Sequence, residues 1–208
     1  MTAPLDARDR SRTRVPPGQV LTQKWPVLHY QHVPRVDLVS WRLRVTGEVE
    51  HALELTWEEL EAFPQREVLC DMHCVTRWSR HDNLFRGVPV REVLRRAGVR
   101  PGAEGVMVHG AEGYTTNLLL SDLDREENLI ATHWGGEPLT AEHGGPVRLL
   151  VPHLYLWKSA KWLTGLELLE YDEPGFWEMN GYHMRGDPWA EERFGRPDPV
   201  RMRRGPRR

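Results

Sequence analysis

The strongest constraint on the fold is one run, Val68-Leu69-Cys70-Asp71-Met72-His73-Cys74-Val75-Thr76-Arg77-Trp78-Ser79, closed by Phe85-Arg86-Gly87-Val88-Pro89-Val90. It predicts a short apolar strand that stops at His73 and hands Cys74 to a polar segment, where a thiolate can meet a group from outside the chain. The Phe-Arg-Gly-Val-Pro stretch has turn composition, and a helix is expected from Val90 to Ala97, ended by Gly98. Two cysteines four positions apart do not make a structural zinc site, which takes four protein ligands from two knuckles. On spacing alone Cys74 is more readily an inert core residue than a ligand.

The flanking sequence predicts a β-rich body. Gly 18 and Pro 16 imply many turns, and nine Trp add aromatic payload to a hydrophobic content of only 39%. Order is expected from Trp25-Pro26-Val27-Leu28-His29-Tyr30, after a disordered arm over residues 1–20. A strand covers Trp41 to Val45, and Leu53-Glu54-Leu55 continues its sheet. Thr56 with Glu59 three residues later forms a capping-box pattern for a helix stopped by Pro64. Further strands are expected over Gly105 to Gly110 and Asn128 to Ala131. One domain over residues 21–195 and a basic tail over 196–208 complete the organisation.

A net charge of −2 gives no general attraction to nucleic acid, and the arginines at both ends have no stacking aromatics beside them. They are expected to be solvated, and no nucleic-acid partner is expected. No apolar run reaches the length of a membrane span, and the N-terminus has neither a signal-peptide core nor a twin-arginine pair. The expected address is cytoplasmic and the expected cysteines are reduced.

Cationic residues recur in the second half. His143-Gly144-Gly145-Pro146-Val147-Arg148 places two glycines, free to approach a bound group, before a guanidinium that can hold an oxyanion. Tyr155-Leu156-Trp157-Lys158-Ser159-Ala160-Lys161-Trp162 adds two ammonium groups around two small residues that can present backbone N–H groups. This is a credible phosphate cradle with no Walker-type sequence.

These pieces together resemble the sulfite-oxidase-like molybdopterin oxidoreductases. The likeness runs from about residue 25 to 194 through Cys74-Val75-Thr76-Arg77-Trp78-Ser79, Gly113-Tyr114-Thr115, the two cationic segments, and the Gly175-Phe176-Trp177 to Asp187-Pro188-Trp189 stretch. The resemblance implies an α+β, mixed, β-rich sulfite-oxidase-type fold holding a molybdenum-molybdopterin (pyranopterin), with Cys74 as the single protein ligand of the metal. It implies cofactor contacts from His29, Tyr30, His143 and Arg148, with Ser159, Ala160 and Lys161 wrapping the phosphate; His109, close to its strand's end, is a further candidate contact, although a lone histidine on a strand is more often a surface or satisfied core residue. Cys70 has no matching role and is expected to pack. The implied activity is a two-electron oxygen-atom transfer on a small substrate at sulfur or nitrogen. With no haem-attachment Cys-x-x-Cys-His, a separate electron donor or acceptor is expected. Arg77, Trp78 and His81 are candidates for the access funnel, and Arg77 is equally a surface ion-pair partner. Two other readings remain open at this level: a non-catalytic module gripping a phosphorylated ligand through Arg148, Lys158 and Lys161, and a small metal site built from Cys70, His73 and Cys74.

Overall fold

The computed structural model describes residues 14–30 and 32–195, so the arginines of residues 1–13 and the basic tail over 196–208 lie outside the described residues. Its strands, in chain order, are β1 (Val20–Leu21), β2 (Leu43–Gly47), β3 (Leu53–Leu55), β4 (Arg66–His73), β5 (Trp78–Pro89), β6 (Gly105–Gly110), β7 (Thr115–Leu119), β8 (Leu129–Trp134), β9 (Glu137–Pro138), β10 (Arg148–Leu150) and β11 (Leu163–Leu169). The helices are short: α1 (Trp57–Glu61), α2 (Val90–Ala97), α3 (Leu120–Leu123) and α4 (Phe176–Met179). The architecture is mixed α+β with more strand than helix.

Two sheets carry it. One runs β1-β5-β8-β10 with β4 antiparallel on β5 and β9 on β8, and the other runs β3-β2-β11-β6-β7. Along β8 and β10 successive residues face opposite ways, as a pleat requires. Ile130 and Leu149 enter the main core with Leu43, Val45, Val106 and Leu166 of the other sheet. Their neighbours Leu129, Ala131 and Leu150 enter a second core with Met72 and Phe85. A strand buried on both faces needs continuous apolar sequence, which is why 129–131 and 149–151 do not alternate.

Local signals fix the helices. Thr56 Oγ1 accepts from Glu59 N at 3.2 Å, and Glu59 Oε2 accepts from Thr56 N at 2.9 Å. That is the reciprocal pair the spacing predicts. Helix α2 buries Val90, Val93, Leu94 and Ala97 at helical spacing and ends at Gly98, whose φ of 66° is left-handed. Each of its buried Val and Leu side chains contributes about 1.5–3 kcal/mol.

Several expectations are corrected. Phe85–Pro89 is not a turn but the second half of the twelve-residue β5, paired with β8. Gly87 serves close approach there: a Cβ on it would stand 2.2 Å from Ile130 O. Structure also begins before Trp25, because β1 pairs in parallel with Trp78 and Ser79. Arg14 is exposed, as expected of the terminal arginines, and also donates Nε to Asp71 Oδ2 and Nη2 to Asp82 Oδ1, each at 2.8 Å.

Candidate active site

Strand β4 ends at His73 as the sequence predicts, and the chain turns directly afterwards. Cys74 N donates to Trp78 O at 2.9 Å and Arg77 N to Cys74 O at 3.0 Å, closing a turn in which Arg77 has φ 71°. The turn delivers Cys74 to a cavity of about 340 Å³. Thr76 Oγ1 donates to Cys74 Sγ at 3.1 Å. Burial pushes the thiol pKa up, opposed by hydrogen bonds from the Thr76 hydroxyl and the Thr76 and Val75 backbone and by the charge of Arg193.

Into the same cavity the fold brings His29, Tyr30, Arg148, Ser159, Ala160 and Lys161. Arg148 is 2% exposed and donates only to carbonyls: His143 O at 2.8 Å, Ser159 O at 2.8 Å and, more weakly, Leu149 O at 3.4 Å. Its guanidinium also stands 5.5 Å from the Trp25 ring centre. Lys161 Nζ donates to Leu28 O at 2.8 Å and Glu142 O at 2.5 Å. No carboxylate among the described residues forms an ion pair with either cation. Burial draws the Arg148 pKa down to about 10, and burial together with the charge of Arg148 draws Lys161 down to about 7. A buried positive charge such as that of Arg148 is costly without a counter-charge, and an anion against this wall of the cavity would offset that cost.

The titration of Lys161 makes that wall pH-dependent. Its cationic form is present below about pH 7 and lost above it, so sulfate, which does not itself titrate there, is expected to bind the ligand-free chain more tightly at about pH 6 than at about pH 8.5. Calorimetry reads the affinity directly. A Lys161→Ala variant loses the pH dependence, and a wild-type affinity that is flat across this range contradicts the assignment.

Two expected contacts are not brought to the cavity. His109 lies on the outer face of β6, with Nε2 3.0 Å from Glu167 Oε2 on β11, because the pleat turns it toward that neighbouring strand. His143 sits one layer back: its ring stacks on Trp25 at 4.0 Å and its Nε2 lies 3.2 Å from Trp25 O. Gly144 and Gly145 likewise serve the protein rather than a bound group. A Cβ on Gly144 would meet the Lys161 side chain at 2.9 Å, and one on Gly145 would meet Leu139 O at 2.1 Å. Ser159 does not offer a free N–H, since its N donates to Leu156 O at 3.1 Å and its Oγ accepts from Val151 N at 2.9 Å.

Lys158 is no cradle residue either. It is fully buried, with Nζ 2.7 Å from Glu178 Oε1 and 2.6 Å from Asn117 Oδ1. Of the funnel candidates Trp78 lines the cavity, whereas Arg77 and His81 do not. Cys70 packs in the second core as expected, its pKa pushed up to about 12 by burial. His73 is also buried, with Nδ1 2.8 Å from Ser79 Oγ and its pKa drawn down to about 4 by burial. Among the described residues no three His, Cys, Asp or Glu side chains converge as metal ligands, so Cys70, His73 and Cys74 do not form the small metal site.

The sequence reading missed the aromatic walls. Trp25, Tyr114, Trp157, Trp162, Phe176, Trp177 and Tyr182 all line the cavity. Tyr30 packs on Phe176 at 4.7 Å, Trp177 stacks on Tyr182 at 4.9 Å, and Tyr114 OH donates to Trp157 O at 2.6 Å. His32 Nε2 approaches Glu112 Oε1 at 3.8 Å across two lining segments. Glu112 (φ 59°) and Trp162 (φ 51°) add two left-handed non-glycine residues to the cavity wall.

One buried thiol, a cationic wall without counter-charge and several aromatic faces suit an organic ring system bearing a phosphate and a soft metal. Residues 30–177 match the family model described as the oxidoreductase molybdopterin binding domain, and the chain belongs to that family. An uncharacterized oxidoreductase, YuiH of Bacillus subtilis (strain 168), is 51% identical over 182 residues, which are 87% of this chain and 92% of that one. A putative protein-methionine-sulfoxide reductase subunit, YedZ1 of Azospira oryzae, is 29% identical over 173 residues, covering 82% of this chain and 66% of that protein. The crystal structure of the sulfane dehydrogenase SoxCD from Paracoccus pantotrophus superposes with a TM-score of 0.68 at 24% identity, over 77% of this chain and 47% of that one. The likeness places the fold with the sulfite-oxidase-type molybdopterin folds.

Proposed function

We propose that this chain is an oxidoreductase that performs two-electron oxygen-atom transfer on a small substrate with a molybdenum-pyranopterin held by Cys74. The observation that carries this reading is the meeting, in one cavity, of the Cys74 thiol with the uncompensated cations Arg148 and Lys161. When bound, the cofactor supplies the two-electron chemistry in which oxygen passes to or from sulfur or nitrogen. The chain's own groups bind, orient and enclose. Cys74 provides the one protein sulfur, and a soft thiolate suits this role better than an oxygen ligand. Because the dithiolene carrier brings two sulfurs of its own, no cluster of protein ligands is needed.

Arg148 is already aimed by the carbonyls of His143 and Ser159, so it meets a phosphate without reorganising. Lys161 adds a second charge from the neighbouring segment. Trp25, backed by His143, offers a flat face to a ring. Tyr30, Phe176 and Trp177 pack on one another along the cavity wall, where they would narrow the access of water to a bound group. Electrons must come from or go to a separate carrier. Both cysteines are free thiols, which a reducing cytoplasm preserves.

A dye-linked assay on the full chain isolated with its cofactor tests the activity. Reduced viologen is expected to be reoxidised on addition of an S-oxide or N-oxide, or an oxidised dye to be reduced by an oxidisable sulfur compound. Cofactor-loaded protein that turns over neither class contradicts the oxygen-transfer reading. It leaves instead the alternative of a non-catalytic module that binds a phosphorylated ligand at Arg148 and Lys161.

A further inference from the structure

A ligand sulfur is only as well placed as the backbone that carries it, and the Cys74 turn is held from behind by two segments outside the family-matched residues 30–177. From the N-terminal side Gln19 Nε2 donates to Cys74 O at 3.0 Å. Val20 N donates to Arg77 O and Thr22 N to Ser79 O, both at 2.9 Å. From the C-terminal side comes Arg193, which is 5% exposed. Its Nη1 donates to Val75 O at 3.0 Å and its Nη2 to Pro17 O at 3.2 Å. The guanidinium carbon lies 5.0 Å from the Tyr155 ring centre, and the nearest carboxylate, on the half-exposed Glu191, stands 3.8 Å from Nη2.

One planar fork thus ties the carbonyl next to Cys74 to the N-terminal arm, and the same arm bonds Cys74 directly. Burying a guanidinium is costly, and here its hydrogen bonds go to backbone carbonyls rather than to a well-formed ion pair. We propose that Arg193 is a positioning residue for the active site: by fixing the Val75 carbonyl it sets the direction in which Cys74 Sγ enters the cavity. The inference rests on the reading of Cys74 as the metal ligand. Lysine cannot reproduce the arrangement, because a single ammonium keeps the charge and loses the rigid two-carbonyl fork.

The test uses the full chain isolated with its cofactor, with Arg193 changed to Met and to Lys and, separately, Gln19→Leu. Molybdenum per chain, extracted pterin and the cysteine-to-molybdenum charge-transfer absorption are measured beside KM and kcat. Arg193→Met is expected to keep its pterin through Arg148 while its charge-transfer band shifts and its metal affinity or kcat falls by roughly 10–100-fold, the usual loss for an outer partner of a metal ligand. KM stays near wild type, since no substrate contact is removed. Arg193→Lys recovers little, which separates the fork from the charge. If Arg193→Met does not fold, Gln19→Leu decides, with a smaller band shift in the same direction expected.

An unchanged band, metal content and kcat in the folded Arg193→Met protein overturns the positioning role, as does an unchanged band in Gln19→Leu where Arg193→Met is unfolded. A Cys74→Ser protein that keeps the charge-transfer band and turnover of wild type overturns the ligand reading itself. Loss of the band in Cys74→Ser beside an unaltered Arg193→Met overturns only the role of Arg193.

Discussion

Replacing Cys74 by Ser is expected to abolish dye-linked turnover and the cysteine-to-molybdenum charge-transfer band while leaving the fold in place. The loss exceeds the roughly 10–100-fold that removal of an outer-shell partner costs a metal site, because the ligand itself is exchanged. A serine hydroxyl stays protonated at neutral pH and offers a hard oxygen where a thiolate offers a soft, polarisable sulfur. The fold survives because the Cys74 side chain contributes one hydrogen bond, from Thr76, and faces a cavity rather than the packed core. The charge-transfer absorption and turnover read the first effect, and thermal melting of cofactor-free protein reads the second. Turnover retained in Cys74→Ser contradicts the assignment.

The second large effect is on stability. Lys158→Met leaves Glu178 charged and buried, and breaking one partner of a buried pair destabilises by about 3–5 kcal/mol. Both side chains are 0% exposed, and the pair sits in a dense network. Lys158 Nζ also donates to Asn117 O at 2.9 Å and Met184 O at 2.6 Å, while Glu178 Oε1 accepts from Thr116 Oγ1 at 2.9 Å and Trp157 Nε1 at 2.8 Å. Burial draws the Lys158 pKa down, opposed chiefly by Glu178. The network fixes Trp157 and helix α4, and through them two walls of the cavity. Urea unfolding of cofactor-free protein measures the cost, and a double variant, Lys158→Met with Glu178→Gln, recovers part of it because no orphaned charge remains. Were Lys158 instead part of the anion cradle, its loss would weaken anion binding and leave stability within about 1 kcal/mol of wild type.

What the chain disclosed before folding was what short-range chemistry controls. Thr56 with Glu59, the apolar spacing of Val90, Val93, Leu94 and Ala97, and the stop at Gly98 each depend on neighbours within one helical turn. The exit of β4 at Cys74 was legible for the same reason. Gly87 and Pro89 misled because a glycine can serve a turn or the close approach of another strand, and only the partner, Ile130 on β8, distinguishes them. Lys158 and Lys161 look alike in sequence, yet one meets Glu178 from twenty residues downstream and the other reaches Leu28 and the cavity. His109 was displaced by its pleat and His143 by the intervening Trp25, neither of which is visible in residue type. The aromatic walls beyond Tyr30 escaped because Trp157, Phe176 and Tyr182 converge on it only after two sheets have closed.

The most direct test of the central claim is the molybdenum and pterin content of the full chain purified from molybdenum-replete cells. The account predicts close to one molybdenum and one extractable phosphorylated pterin per chain, and loss of the pterin from a protein in which Arg148 is changed to Met. Protein that is folded, binds phosphate at Arg148 and Lys161, and carries neither molybdenum nor pterin would contradict it.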